Sequence, residues 1–179
     1  GGRARLGAPA AGRRALTDNR FTRALADLVQ GLARSGADFM LIGGVAVIAR
    51  GVARDTDDID ATAWAPATDV GSLLAGLGSA DVVPRIDDVE EFARQAQVLL
   101  LRHKPSGVPI EVSLAWLPFE REALDRADRL DIDGVEVPVA AAEDLVVYKA
   151  VAWRDRDRAD VARLLRLHGA GIDRDRVLA

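Results

Sequence analysis

Cysteine is absent from this chain of 179 residues. Its absence excludes disulfide bonds, a thiol nucleophile and a cysteine-ligated zinc site. Histidine occurs only as His103 and His168, too far apart in sequence to support a metal site or a catalytic triad. His103, at the end of an apolar stretch, reads as structural. Long hydrophobic runs are also missing: 49% of the residues are hydrophobic, yet none of the runs approaches the ~18 to 20 residues that span a bilayer. The N-terminus lacks the apolar centre of a secretory signal, so a cytoplasmic protein with no membrane partner is expected. Positive charge is not in excess, since 24 Lys and Arg against 28 Asp and Glu give a net charge of −4. That balance argues mildly against a large polynucleotide substrate, although a local patch of Arg50, Arg54, Lys104 and Arg154 would suffice for one.

Organisation follows from the same composition. Residues 1–16, rich in Gly, Ala and Arg, read as a flexible arm, and residues 17–179 as one domain of the usual ~100 to 200 residues. The chain opens on Gly1 and its only methionine is Met40. The expectation is that the natural start was removed or that the leading residues are foreign to it. Ile172 to Ala179 opens like a further helix, which suggests continuation beyond the last residue.

The chemistry is concentrated in Asp58-Ile59-Asp60, an Asp-x-Asp pair in an apolar stretch. In a strand, alternate side chains share a face, so both carboxylates would project together while Ile59 points into the core. Two such charges at ~4 Å repel by about 4 kcal/mol at an effective dielectric near 20, so the pair calls for a cation or a proton. A hard cation such as Mg²⁺, or Mn²⁺, suits oxygen ligands. An EF-hand loop opening at Asp55 is excluded by spacing, because its sixth position would be Asp60 instead of glycine and its twelfth Pro66 instead of glutamate.

Upstream, Gly43-Gly44 closes the apolar run Phe39-Met-Leu-Ile42 and precedes the short helical segment Val45–Arg50. Glycines at such a turn let backbone amides approach a phosphate at the positive end of a helix. A phosphate cradle beside a carboxylate pair is the equipment of phosphoryl or nucleotidyl transfer.

The stretch from Leu41 to Asp60 resembles the signature of the DNA polymerase beta-like nucleotidyltransferase superfamily: a glycine doublet, a short helix and an Arg-x-Thr-x-Asp-hydrophobic-Asp segment. It is most similar to the small bacterial branch with the AbiEii-type abortive-infection toxins. Val45 departs from the serine or threonine that many members carry after the glycines, which leaves backbone contacts to the phosphate in place of a side-chain contact. The resemblance implies a minimal nucleotidyltransferase fold of the α+β (α/β) class, a mixed sheet flanked by helices with a C-terminal helical segment from about residue 141. It also implies Arg54 and Thr56 on the nucleotide side and a third carboxylate on a neighbouring strand. Glu111, between Ile110 and Val112 in Val108–Leu114, is the candidate for a third metal ligand or for the general base that takes a proton from the acceptor hydroxyl.

Farther on, Ala142–Trp153 has Leu145, Tyr148 and Ala152 at helical spacing, and Arg154–Leu167 offers Val161, Leu164 and Leu165 to the core. Asp157 and Asp160 can meet Lys149 or Arg154. By the resemblance, Lys149 contacts the nucleotide and Asp160 is a catalytic or positioning acid. The partners implied are a nucleoside triphosphate, a tRNA acceptor and a cognate antitoxin. A small-molecule acceptor such as an antibiotic is the alternative, and a non-catalytic binding relative is a third reading.

The remaining elements are expected as follows: a helix over Asp18–Arg34 with Leu25, Leu28 and Leu32 on one face, strands over Asp38–Ile42 and Asp58–Trp64, and a Thr68-capped helix over Val70–Leu77. A strand near Asp81–Arg85 and a hairpin over Gln97–Leu114 come next. A second hairpin turns at Asp133-Gly134.

Overall fold

Alternation decides the sheet. In the computed structural model, which describes residues 18–68 and 70–178, one alternating set of strand residues is fully buried: Ile59, Ala61 and Ala63, Leu99 and Leu101, and Ile110, Val112 and Leu114. Of the other set, Asp60, Leu100 and Glu111 are only half-buried. A strand with one apolar face turned to the core and one left for other work is the outcome that period-2 patterning dictates.

The elements run in the order α1 (Asn19–Ser35), β1 (Phe39–Leu41), α2 (Gly43–Ala49), β2 (Ile59–Trp64), α3 (Gly71–Gly78), β3 (Val82–Pro84), α4 (Val89–Ala96), β4 (Val98–His103), β5 (Pro109–Ala115), α5 (Pro118–Asp125), β6 (Asp128–Ile132), β7 (Val135–Val139), α6 (Ala142–Ala152), α7 (Asp155–His168) and α8 (Arg174–Leu178). The strands form one seven-stranded sheet in the order β3-β4-β5-β2-β1-β7-β6. It is mixed: β2 pairs with β5 and β1 with β7 in parallel, and the remaining neighbours are antiparallel. The α+β class and the C-terminal helices are as the sequence predicts.

Asp18 caps α1 by accepting the backbone N–H of Arg20 at 2.9 Å, and the helix buries Leu25, Leu28 and Leu32. α1 meets α3 through glycines: a Cβ on Gly31 would lie 2.8 Å from the Leu77 Cα, and one on Gly76 would lie 2.6 Å from the Gly31 carbonyl oxygen. Backbone stands on both sides of that contact and cannot swing away. Gly31→Leu is therefore expected to destabilise the protein by about 1–3 kcal/mol through overpacking, read as a lower thermal midpoint. At the β6–β7 hairpin, Asp133 and Gly134 both take positive φ, 49° and 88°, as a two-residue turn of the expected kind requires.

Several expectations need correction. The glycine doublet forms the first turn of α2 instead of preceding it, and Asp58 lies in a bend just ahead of β2. Thr68 does not cap α3, whose N-cap is Val70 without a side-chain bond. Helices α4 and α5 were not foreseen. Ala152 and Leu165 are exposed, so the core faces of α6 and α7 rest on Leu145 and Leu164. The proposed arm lies outside the described residues. Among the described residues no helix is long and apolar enough to cross a membrane.

Candidate active site

The parallel pairing of β2 with β5 sets Asp60 directly beside Glu111, and the antiparallel β4 sets Leu100 on the other side of Glu111. Two acids thus stand in one row across the half-open face. Asp58, just before the strand, joins them: Asp58, Asp60 and Glu111 line one cavity of about 270 Å³, together with Gly44, Arg54, Lys149, Arg154, Arg156 and Asp157. Residues from β2, β5, α2 and the α6–α7 junction meet there, and only tertiary structure brings them together.

Asp60 is the most perturbed acid of the row. Burial, then the neighbouring charges of Asp58 and Glu111, push its carboxyl up to about 6, against a backbone hydrogen bond from Gly44 and the charge of Lys149. Its two acidic neighbours are each held by another side chain. Thr56, itself buried, donates its hydroxyl to Asp58 Oδ1 at 2.8 Å. Arg85, at the end of β3, donates Nη2 to Glu111 Oε1 at 2.5 Å.

The glycine doublet serves this acid row more directly than it serves a phosphate. Gly43 has φ +62, and a Cβ there would lie 1.8 Å from Asp60 Oδ2; one on Gly44 would lie 2.4 Å from the Thr56 hydroxyl. The doublet is the floor against which Asp60 and Thr56 rest. Gly43→Ala is expected to displace Asp60 and to lower stability by about 1–2 kcal/mol for the left-handed backbone alone, read by chemical denaturation.

Behind the cavity sits a buried ion cluster. Asp160, wholly buried, accepts from Arg54 Nη1 at 2.6 Å and faces Lys149 Nζ at 3.2 Å. Asp157 accepts from Lys149 Nζ at 3.0 Å and from Arg154 Nε at 2.8 Å, and its second contact to the Arg154 N–H caps α7. Burial works to raise the Asp157 carboxyl, but the bonds from Arg154 and Lys149 outweigh it and leave it at about 2. The face shared by Asp157 and Asp160 meets Lys149, as the sequence reading allows.

Most of the sequence-derived candidates gather here: Asp58, Asp60, Glu111, Gly44, Arg54 and Lys149 line the cavity. Thr56 touches a lining residue and Gly43 lies against Asp60, while Asp160 stands one layer behind. Arg50 and Lys104 do not join the expected basic patch. Arg50 is bound to Asp128 and to the carbonyls of Val139 and Ala140. His103 is structural as expected, fully buried between Ser106 and Asp27. Sequence reasoning missed Arg85 and Arg156. The alternating Arg154-x-Arg156-x-Arg158 at the start of α7 was the available signal for the second; nothing in the sequence pairs Arg85 with Glu111.

As a metal site the arrangement fits in chemistry and is incomplete in geometry. The donors are all carboxylate oxygens and repel one another, which suits a hard cation. Among the described residues no group of three or more acidic or histidine side chains is placed to hold a metal, and Arg85 engages the third acid. Asp58 and Asp60 are the pair that fits.

A half-open mixed sheet with an Asp-x-Asp pair beside a helix N-terminus is the arrangement of the nucleotidyltransferase-like fold. Residues 20–166 match the family described as nucleotidyltransferase of unknown function (DUF6036), and the chain belongs to it. Among solved structures, the chain is similar to the solution structure of the antibiotic-resistance factor ANT(2'')-Ia, with a TM-score of 0.59 and 18% identity over 90% of this chain and 89% of that one. It is also similar to the lincomycin-bound lincosamide antibiotic adenylyltransferase LnuA, with a TM-score of 0.55 and 15% identity over 84% and 98%. JHP933 from Helicobacter pylori gives a TM-score of 0.54 and 18% identity over 89% and 72%. At these identities the likeness shows the fold. No curated protein matches the chain significantly.

Proposed function

We propose that the protein transfers a nucleoside monophosphate from a nucleoside triphosphate to an acceptor hydroxyl, releasing pyrophosphate. The observation that carries this reading is the single cavity lined by Asp58, Asp60 and Glu111 on one side and by Arg54, Lys149, Arg154 and Arg156 on the other. Asp58 and Asp60 would hold Mg²⁺ or Mn²⁺, which when bound offsets charge on the phosphates and activates the attacking oxygen. Thr56 and the glycine doublet keep that carboxylate pair aligned. Glu111 accepts the proton of the acceptor hydroxyl as its oxygen bonds to the α-phosphorus. The cationic wall borders the space for the triphosphate.

For the acceptor, a small hydroxyl compound is the favoured reading. ANT(2'')-Ia is described in complex with adenylyl-2''-tobramycin and LnuA with lincomycin, and the net charge of −4 does not favour a polynucleotide. A tRNA acceptor, within a toxin–antitoxin pair, is the second reading; it rests on the AbiEii-like order of Lys149 and the Arg154–Asp160 segment. The test is label transfer from each of the four α-labelled nucleoside triphosphates with Mg²⁺, offering aminoglycosides, lincosamides and total bacterial tRNA in parallel. The wild type is compared with an Asp58→Asn, Asp60→Asn double variant. Label on an antibiotic that vanishes in the variant supports the first acceptor, and label on tRNA replaces it with the second. No transfer to any acceptor, with no Mg²⁺-dependent nucleotide binding, overturns the activity.

A further inference from the structure

The cations that line the cavity differ in whether their charge is already matched. Arg54 is held by Asp160 at 2.6 Å, Lys149 by Asp157 at 3.0 Å and Asp160 at 3.2 Å, and Arg154 by Asp157 at 2.8 Å. Arg156, in the first turn of α7, is exposed, lines the same cavity and has no carboxylate partner among the described residues. Its neighbours on the helix are taken, Arg158 by Asp155 and Arg163 by Asp160. Arg85, the other cation near the acid row, is bound to Glu111 and does not line the cavity.

Charge matching determines what each can do for an anion. Lys149 and Arg54 could turn to a phosphate only by leaving buried carboxylates unpaired, which the low-dielectric surroundings penalise. A free guanidinium carries no such cost, and its planar fork suits two phosphate oxygens at once. The end of α7 that carries it borders the acids, since Arg154 and Arg156 line the same cavity as Asp60 and Glu111.

Resting on the nucleotidyl-transfer reading, we propose that Arg156 is the side chain that binds the β- and γ-phosphates and receives the departing pyrophosphate. In the transfer, the acceptor oxygen bonds to the α-phosphorus and its proton passes to Glu111. The bond from the α-phosphorus to the bridging oxygen breaks, and its electron pair stays on the pyrophosphate. Arg156 matches the charge that accumulates there. Lys149 and Arg54 are left as positioning groups, fixed from behind by Asp157 and Asp160.

The experiment measures equilibrium binding, with Mg²⁺, of the four nucleoside triphosphates and their matching monophosphates to wild type, Arg156→Ala and Arg156→Lys. The wild type is expected to prefer the triphosphate of its base. Arg156→Ala is expected to lose about tenfold or more of that preference with monophosphate affinity unchanged, and Arg156→Lys to recover part of it. Label transfer by Arg156→Ala falls in parallel. A preference that survives in Arg156→Ala overturns the assignment, as does an equal loss of monophosphate binding, which would mark the residue as structural. A wild type that binds neither nucleotide form and transfers no label overturns the nucleotidyl-transfer reading beneath it.

Discussion

Asp60→Asn is expected to abolish transfer and, at neutral pH, to make the protein more stable. The carboxyl stands at about 6 in the fold against an ordinary 3.8, first through burial and then through Asp58 and Glu111. A folded-state value raised above the unfolded one means that the fold favours the protonated acid. Stability from this group is therefore fully present below about pH 4 and is lost as pH rises through about 6. At pH 7 the ionised acid costs up to about 3 kcal/mol at ~1.4 kcal/mol per unit. Asparagine keeps the shape and carries no charge. A gain of about 1–2 kcal/mol at pH 7 is expected, a rise of roughly 2–8 °C in the thermal midpoint, with no gain at pH 4.

The activity moves the other way. On the proposed chemistry, in which Asp60 holds the cation that offsets transition-state charge, its loss is expected to cost roughly a thousandfold or more. Mg²⁺ with nucleotide is expected to raise the midpoint of the wild type and not of the variant. Calorimetry at both pH values beside the transfer assay checks all of this. A variant whose gain over the wild type is no larger at pH 7 than at pH 4 would show that Asp60 is not strained, and one that retains transfer would show that it is not essential.

Asp160→Ala is expected to give the largest loss of stability. Its carboxylate is wholly buried, and the Arg54 and Lys149 side chains that it serves are only 7% and 10% exposed. Removing it strands the buried Arg54 cation and leaves Lys149 with Asp157 alone. Breaking a buried pair from one side costs about 3–5 kcal/mol, a large part of the ~5–15 kcal/mol that holds a typical domain folded. Arg154→Ala is the contrast. That side chain is 78% exposed, so its loss is expected to cost no more than about 1 kcal/mol. Urea titration reads both, as a large drop in midpoint for the first and a small one for the second. An Asp160→Ala protein that unfolds at nearly the wild-type midpoint would mean that the cluster relaxes or admits water.

These two acids illustrate what one dimension reveals. Asp58 and Asp60 were legible because a charged pair in an apolar run is locally anomalous, and Glu111 because it interrupts the run from Ile110 to Val112. Asp157 and Asp160 were legible as neighbours on one helix face, since their three-residue spacing is a matter of helical geometry, and the packing of α6 against α7 then brings Lys149 to them. The burial of Asp160 was not, because the same three-residue spacing on an exposed helix gives a solvated ion pair. Leu165 was misplaced for the same reason: periodicity marks an apolar stripe, and the tilt of α7 against α6 decides which edge of the stripe is covered.

By itself the sequence determined the α+β class, the alternating strands and their turn at Asp133-Gly134, the exclusion of thiol chemistry, and the acids and glycines of the site. These depend on residues within a few positions of one another, where backbone periodicity acts directly. Tertiary structure decided which strands are neighbours, and so that Glu111 stands beside Asp60 and Arg85 beside Glu111. It also decided which cations are matched by buried carboxylates and which one is left facing the cavity. Both depend on distances between segments far apart in the chain, and those are set by packing.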